Sequence, residues 1–144
     1  MSSVIVIYHS DTGNTHALAR LVAEGAASVK GTQVQVVLAA ELDLDQAGSA
    51  DAYAIGSPDY FSYVAGSIKT FFDLILYESR FKGKPYVGFG THGGGAHVLE
   101  VLNNLAKACG LKQAAPGVQV RGAPGPKDAD EARKLGKALA EAVK

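Results

Sequence analysis

VIVIYHSDTGNT, residues 4–15, is the stretch of sequence that decides the fold of this chain. Its first half is a run of β-prone apolar residues, and its second half is a cluster of hydroxyl, glycine and asparagine residues typical of a tight loop. A helical pattern follows at once. Its apolar face consists of Leu18, Leu21, Val22, Gly25 and Val29. The stretch therefore predicts a strand, a loop and a helix N-terminus in direct succession.

The predicted loop has the chemistry of an anion site. Backbone N–H groups at a helix N-terminus point toward a bound anion, the helix dipole favours negative charge, and Ser and Thr hydroxyls add directional donors. Residues 10–15 include no Lys or Arg, which favours a single terminal phosphate over a triphosphate as the ligand. The loop therefore differs from the lysine-bearing P-loop and from the G-x-G-x-x-G dinucleotide motif.

Composition limits the class of protein. A chain of 144 residues has the length of one ordinary domain, 1–144, and such a domain buries roughly 68–70% of its unfolded surface. The net charge is zero, with 14 basic and 14 acidic residues in no block of one sign, which argues against nucleic acid or an anionic membrane as a partner. The sequence shows no signal-like N-terminus and no long apolar run, so it predicts a cytoplasmic protein without membrane insertion.

Cysteine and histidine are too few and too scattered to predict a metal site. The four histidines and the single cysteine, Cys109, have no ligand spacing. Cys109 lies in a predicted helix and is expected to be a small buried residue in a reducing compartment.

Five β-rich runs alternate with five helical patterns along the chain. The predicted strands are about 3–8, 33–38, 51–56, 85–90 and 117–121. The predicted helices are about 14–29, 43–48, 67–78, 95–109 and 128–143. This alternation predicts an α/β fold with a doubly wound five-stranded parallel sheet in the order 2-1-3-4-5 and helices on both faces. A ligand then lies at the carboxyl ends of strands 1 and 3, where the winding reverses.

The loop after the third strand, Gly56-Ser57-Pro58-Asp59-Tyr60-Phe61-Ser62-Tyr63, is rich in aromatic residues. Planar side chains at this edge can stack on a planar heterocycle, which is worth about 0.5–1.5 kcal/mol per pair beyond area burial. The alternative is that Tyr60, Phe61 and Tyr63 cover the core or contact another subunit.

The loop after the fourth strand, Gly90-Thr91-His92-Gly93-Gly94-Gly95-Ala96, contains three consecutive glycines. Glycine permits close backbone approach and unusual φ angles, so the loop can offer N–H groups to the edge of a flat polar ring. His92 is a candidate for a hydrogen bond to the carbonyl edge of such a ligand or for a counter-charge, and the alternative is a solvated loop histidine. His97 is expected to be structural, and the side chain of His9 has no assigned direction.

These loops resemble those of one protein family. Ser10-Asp11-Thr12-Gly13-Asn14-Thr15 is similar to the phosphate loop of flavodoxin-like proteins, which hold flavin mononucleotide (FMN). Gly56-Ser57-Pro58-Asp59-Tyr60-Phe61 is similar to the ring-side loop of flavodoxin-like NAD(P)H:quinone oxidoreductases of the Trp-repressor-binding-protein type. The chain departs from those enzymes at Ser62-Tyr63, where they usually have Gly-Asn, and it is shorter than they are.

The resemblance implies a role for each loop in holding FMN. Ser10, Thr12, Asn14 and Thr15 are implied side-chain donors to the phosphate, Gly13 is an implied backbone donor, and Asp11 is expected to point away from the phosphate. The implied ring-side residues are Ser57, Pro58, Asp59, Tyr60 and Phe61. The residues implied at the pyrimidine edge are Thr91, His92, Gly93, Gly94 and Gly95. The flavin carries the redox chemistry, so no catalytic residue is predicted, with His92 the one candidate exception.

Two functions are consistent with the resemblance. The favoured one is an oxidoreductase in which NAD(P)H reduces the flavin, which then reduces a quinone-like acceptor. The other is a one-electron carrier between redox protein partners, which the small size of the chain favours. A flavin-free signalling module needs acidic residues at the strand ends, and Tyr8-His9-Ser10 does not supply them. The aromatic loop is also consistent with a homo-oligomer in which two subunits share a site.

Overall fold

A computed structural model describes residues 1–143 of the protein. Parallel strands form a central sheet, and helices cover both of its faces. The strands are β1 (Ser2–Tyr8), β2 (Thr32–Leu38), β3 (Ala52–Pro58), β4 (Pro85–His92), β5 (Lys112–Gln113) and β6 (Val118–Arg121). The helices are α1 (Asn14–Ala27), α2 (Leu44–Gly48), α3 (Gly66–Ile75), α4 (Val98–Ala108) and α5 (Pro126–Ala142). Short 3₁₀ turns occupy Ala39–Glu41 and Ser79–Phe81. No helix in residues 1–143 is long and apolar enough to cross a membrane.

The sheet has the predicted strand order. β2, β1, β3 and β4 are neighbours in that sequence, and β5 and β6 both pair with β4. All of these pairings are parallel. The winding therefore reverses between β1 and β3, and the doubly wound fold predicted from the sequence is confirmed.

The fifth position of the sheet differs from the prediction of one strand at about 117–121. Two short strands fill it, with β5 opposite Pro85 and Tyr86 and β6 opposite Phe89 to His92. The interruption contains Pro116, which has no N–H to donate to a ladder, and Gly117, where a Cβ would lie 2.4 Å from the carbonyl oxygen of Gly88. The chain thus breaks its pairing next to a close approach of Gly117 to Gly88 of β4.

Alternating side chains of the central strands build two cores. One face carries Ile5, Ile7 and Tyr53 against α3 and α4, and the other carries Val4, Val6 and Phe89 against α1 and α5. Period-2 alternation of apolar residues on both faces is expected for a parallel sheet covered on both sides. The cores hold the strand ends, and hence the loops that follow them, in fixed positions.

Helices α1 and α5 pack with their backbones in close contact. A Cβ at Gly25 would lie 1.8 Å from the carbonyl oxygen of Arg133, and a Cβ at Gly136 would lie 1.9 Å from that of Val22. Only glycine leaves room for this approach. The crossing fixes α1, whose first residues, Asn14 and Thr15, form the end of the 10–15 loop.

Helix α4 begins three residues later than predicted, at Val98 instead of about 95. Residues 93–97 provide no side chain that caps the helix. The cap comes instead from Asp59 in another loop, which accepts hydrogen bonds from the backbone N–H groups of His97 and Val98 at 2.9 and 3.0 Å. The glycine-rich segment therefore stays outside the helix.

Candidate functional site

Three loops meet at the carboxyl edge of the sheet. The phosphate-type loop (residues 10–15) follows β1, the aromatic loop (57–63) begins in the last two residues of β3, and the glycine loop (91–97) begins in the last two residues of β4. Tyr8 is paired with Gly56 and Pro58 with Thr91, so the three strands end side by side. The structure therefore brings the three predicted segments together at the reversal of winding.

The phosphate-type loop presents unused backbone donors. Helix α1 has Gly13 at its N-cap, and no side chain caps it. By contrast, Asp43 caps α2, and the side chain of Asp128 accepts from Gly125 N at the start of α5. The first N–H groups of a helix need an acceptor from a side chain, water or a ligand. Gly13 has φ +95°, and a Cβ there would meet no heavy atom within 4 Å, so open space lies above the loop. An anion fits this end of α1.

The hydroxyl residues of this loop differ in exposure. Thr12 is exposed, Ser10 is half-buried and its Oγ accepts from Gly13 N at 3.0 Å, and Asn14 begins α1 half-buried. Thr15 is buried, and its Oγ1 lies 2.8 Å from Oγ1 of the buried Thr91. The Thr15–Thr91 hydrogen bond ties the phosphate-type loop to the glycine loop.

The aromatic loop contains a tight turn. Tyr60 and Tyr63 exchange backbone hydrogen bonds, and Phe61 and Ser62 between them have φ +57° and +63°. Positive φ at both central residues is the pattern of a type I′ turn, which non-glycine residues adopt at a cost of about 1–3 kcal/mol each. The turn leaves the side chain of Phe61 fully exposed, at 103% of its reference area. An apolar ring is thus held outward at the mouth of the site.

Asp59 holds the aromatic loop in place. One carboxylate oxygen accepts from Ser62 N at 2.8 Å within the turn, and the other caps α4. Its own N–H donates to the carbonyl oxygen of Thr91 at 2.8 Å. Ser57 is fully buried, and its Oγ accepts from Ala65 N at 2.9 Å. The side chains of Ser57 and Asp59 are thereby committed to the loop framework, and Pro58 ends β3 between them.

Asp11 and Tyr60 join the phosphate-type loop to the aromatic loop. The Tyr60 hydroxyl donates to Oδ2 of Asp11, and Nε2 of His9 lies 3.2 Å from the same oxygen. These bonds lower the pKa of Asp11, that from Tyr60 more than that from His9. Burial, and then the carboxylate of Asp11, raises the pKa of Tyr60 to about 12. At neutral pH the pair is therefore a carboxylate that accepts from a neutral phenol.

The glycine loop is open and carries few side chains. Gly93, Gly94 and Gly95 are exposed, and a Cβ at Gly93 or Gly94 would meet no heavy atom within 4 Å. Gly94 has φ +155°, and its N–H donates to Nδ1 of His92 at 3.1 Å. This bond leaves Nε2 of His92 to carry the ring proton. A flat ligand can approach the backbone of this loop without steric obstruction.

His9 and Ser67 are site residues that the sequence does not predict. Nδ1 of His9 lies 2.8 Å from Oγ of Ser67, at the start of α3, while its Nε2 faces Asp11. The alternation of β1 does not extend beyond Tyr8, so it gives no direction for the next side chain. The expectation that Asp11 points away from the anion end is consistent with its hydrogen bond to Tyr60.

The doubly wound fold, with a candidate anion site where its winding reverses, is typical of proteins that bind a nucleotide or a flavin at that point. Residues 6–136 match the family model described as Flavodoxin, and the chain belongs to the flavodoxin family.

Individual relatives differ in how much of the chain they match. A flavodoxin of Aquifex aeolicus (strain VF5) is 34% identical over an alignment of 165 positions, which covers 99% of this chain and 88% of that protein. A solved archaeal flavodoxin superposes with a TM-score of 0.92 at 30% identity and covers 98% of both chains. An NAD(P)H dehydrogenase (quinone) of Chromohalobacter salexigens is 32% identical over an alignment of 94 positions, which covers 51% of this chain and 47% of that protein.

FMN is the cofactor of this family, and the residues present fit it. The uncapped start of α1 and the hydroxyls of residues 10–15 suit a terminal phosphate. The open backbone at Gly93 and Gly94 and the aromatic rings of the facing loop suit a flat heterocycle. Residues 9–15, 57–63 and 91–97 contain no Lys or Arg, so the phosphate end depends on amides and hydroxyls.

Proposed function

We propose that this protein is an electron carrier that uses a bound FMN to pass electrons between redox partners. The observation that supports this most strongly is the match to a flavodoxin along 99% of the chain and 88% of that relative. The match to a quinone dehydrogenase covers 47% of that relative. The sequence alone favours the quinone oxidoreductase. These two matches favour the alternative instead, which is the electron carrier.

In this proposal the phosphate is held at the start of α1. The first N–H groups of the helix supply backbone donors, and Ser10, Thr12 and Asn14 supply side-chain donors. The N–H of Gly13 already donates to Oγ of Ser10, so it joins them only by exchanging that bond for one to the phosphate. Thr15 is already bonded to Thr91, so it contributes through its backbone N–H and through the remaining bonding capacity of its hydroxyl. Asp11 contributes no side-chain contact to the phosphate, because its carboxylate is an acceptor.

The ring is placed between the aromatic loop and the glycine loop. Tyr60 and Phe61 are the proposed stacking residues, and Thr91, His92 and Gly93–Gly95 border the polar edge of the ring. Ser57, Pro58 and Asp59 act by fixing the backbone beside it. When bound, FMN supplies the redox chemistry, and the chain sets its environment through hydrogen bonds, burial and local charge.

The second candidate is an NAD(P)H-dependent quinone oxidoreductase. It is favoured by the 32% identity to a quinone dehydrogenase over about half of the chain. The resemblance of Gly56–Phe61 to the ring-side loop of those enzymes points in the same direction. Its weakness is Ser62-Tyr63, where the expected Gly-Asn is replaced and Tyr63 is tied to Tyr60.

Two measurements test the proposal in sequence. The purified protein is first titrated with FMN, and quenching of flavin fluorescence gives the dissociation constant. The loaded protein is then mixed anaerobically with NADH or NADPH in a stopped-flow instrument, with and without a catalytic amount of an NADPH-dependent flavoprotein reductase. A carrier is bleached rapidly only when the reductase is present. Rapid bleaching by the nucleotide alone, followed by turnover with a quinone, would establish the enzyme instead.

A further inference from the structure

Tyr60 is held from two directions. Its backbone exchanges hydrogen bonds with Tyr63 at 2.9 and 3.0 Å, which fixes the turn, and its hydroxyl reaches Asp11, 49 positions away in the sequence. The ring of His9 packs edge-on against that of Tyr60, with centroids 5.8 Å apart and planes at 81°. The orientation of the Tyr60 ring at the mouth of the site therefore depends on the neighbouring loop.

A carboxylate at position 11 is unexpected beside an anion site. Asp11 is exposed, and it lies two residues before Gly13, where a phosphate is proposed to bind. A like charge there repels the ligand, so the presence of this carboxylate calls for a role other than binding the phosphate. Its Oδ2 meets two side chains, Tyr60 and His9, and His9 is oriented by Ser67 on its other nitrogen. The arrangement directs the charge toward the aromatic loop.

We propose that Asp11 is a positioning residue, which holds Tyr60 and the aromatic loop against the phosphate-type loop so that the FMN site is formed before FMN arrives. This inference rests on the proposed function, because it concerns the site that FMN occupies. Its consequence is opposite to that of simple repulsion: removing the side chain weakens FMN binding, although it removes a negative charge from beside the phosphate.

Four variants separate the two effects. Asp11→Ala removes the acceptor and the charge, Asp11→Asn removes the charge and keeps an acceptor oxygen, and Tyr60→Phe removes the donor and keeps the ring. Tyr77→Phe is the matched control, because Tyr77 is 91% exposed and lies beyond the end of α3. The dissociation constant for FMN is measured for each variant and for the double variant Asp11→Ala/Tyr60→Phe.

The hydrogen bond between Asp11 and Tyr60, which forms a bridge between the two loops, predicts a particular order of affinities for FMN. Asp11→Ala and Tyr60→Phe are each expected to weaken FMN binding by about tenfold. This is the lower end of the range for a hydrogen bond to a charged group, and we choose it because Asp11 is exposed. The double variant loses no more than either single variant, since both remove the same bond. Asp11→Asn binds FMN at least as tightly as the wild type, and Tyr77→Phe is unchanged. Equal or tighter binding by Asp11→Ala, or additive losses in the double variant, would overturn the inference.

Amide hydrogen exchange tests the bridge without FMN. In the FMN-free protein the N–H groups of Tyr60 and Tyr63 are expected to exchange several-fold faster in Asp11→Ala and Tyr60→Phe than in the wild type and Tyr77→Phe. Unchanged exchange in Asp11→Ala would refute the bridge even if FMN binds normally. If the wild type takes up no FMN, the proposed function fails, and the exchange rates alone decide whether Asp11 positions the loop.

Discussion

Replacing Asp59 with alanine is expected to destabilise the protein through the start of α4. The carboxylate accepts from His97 N and Val98 N, and Val98 is fully buried, so its N–H finds no water when the acceptor is removed. An unsatisfied buried donor costs about 1–3 kcal/mol, and the loss of a helix cap typically costs about 1 kcal/mol. The turn also loses the bond to Ser62 N, so the total is roughly 2–4 kcal/mol, a large part of a typical stability of about 5–15 kcal/mol.

Urea unfolding monitored by circular dichroism measures this loss. With a slope of about 1–3 kcal/mol per molar urea, the midpoint of Asp59→Ala falls by about 1 M or more. Asp59→Asn keeps one acceptor oxygen and so retains either the cap or the turn bond, which places it between the wild type and Asp59→Ala. The same variants are titrated with FMN, and Asp59→Ala is expected to bind it more weakly because both loops lose their connection.

Asp43→Ala is the matched control, because Asp43 caps α2 by accepting from Asp45 N at 3.0 Å. It removes a helix cap that belongs to none of the three loops. It is expected to cost about 1 kcal/mol and to leave FMN affinity unchanged. The reasoning is refuted if Asp59→Ala costs no more than Asp43→Ala, or if Asp59→Asn is as unstable as Asp59→Ala.

Two further predictions concern the framework of the fold. Gly136→Ala places a Cβ 1.9 Å from the Val22 carbonyl oxygen and is expected to cost about 1–3 kcal/mol, which lowers the Tm by about 2–10 °C in a thermal melt. Lys137→Ala at the neighbouring exposed position serves as the control, and an unchanged Tm for Gly136→Ala would contradict the close packing of α1 and α5. Burial raises the pKa of Tyr53 and Tyr86, and the pKa of Tyr60 is raised to about 12, so these residues keep their protons when folded at pH values where the unfolded chain has lost them. The free energy of unfolding should therefore fall above about pH 10, by up to about 1.4 kcal/mol per pH unit for each buried tyrosine. The lowered pKa of Lys84 acts in the opposite sense. Urea melts from pH 9 to 11.5 should show a shallower decline of this free energy for Tyr86→Phe than for the wild type, and an identical decline would refute the assignment to Tyr86.

The sequence predicts the sheet well because its strands carry strong local patterns. Runs such as Val4–Tyr8 are continuous and apolar, and glycine or proline lies near their ends, so strand order follows from the alternation with helices. The edge of the sheet is less predictable. Residues 112–121 pair with β4 in two short pieces, and which residues pair there depends on the close approach of Gly117 to Gly88.

Contacts between the loops lie beyond local sequence patterns. Asp11 meets Tyr60, and Asp59 meets Val98, only because parallel strands bring distant residues to one edge. One signal for the second contact is nevertheless present in the sequence. The segment Gly93-Gly94-Gly95 lacks a capping side chain, so a helix that begins after it needs an acceptor from elsewhere in the molecule.

The contact between α1 and α5 has a consequence for biosynthesis. Helix α1 supplies the amides proposed to receive the phosphate, yet its packing partner α5 is translated only after every strand of the sheet. Domains emerge from the ribosome with their N-terminal parts first. A nascent chain that lacks α5 thus carries the proposed phosphate-binding loop without one of the surfaces against which α1 packs, and we expect stable flavin capture to follow the synthesis of α5.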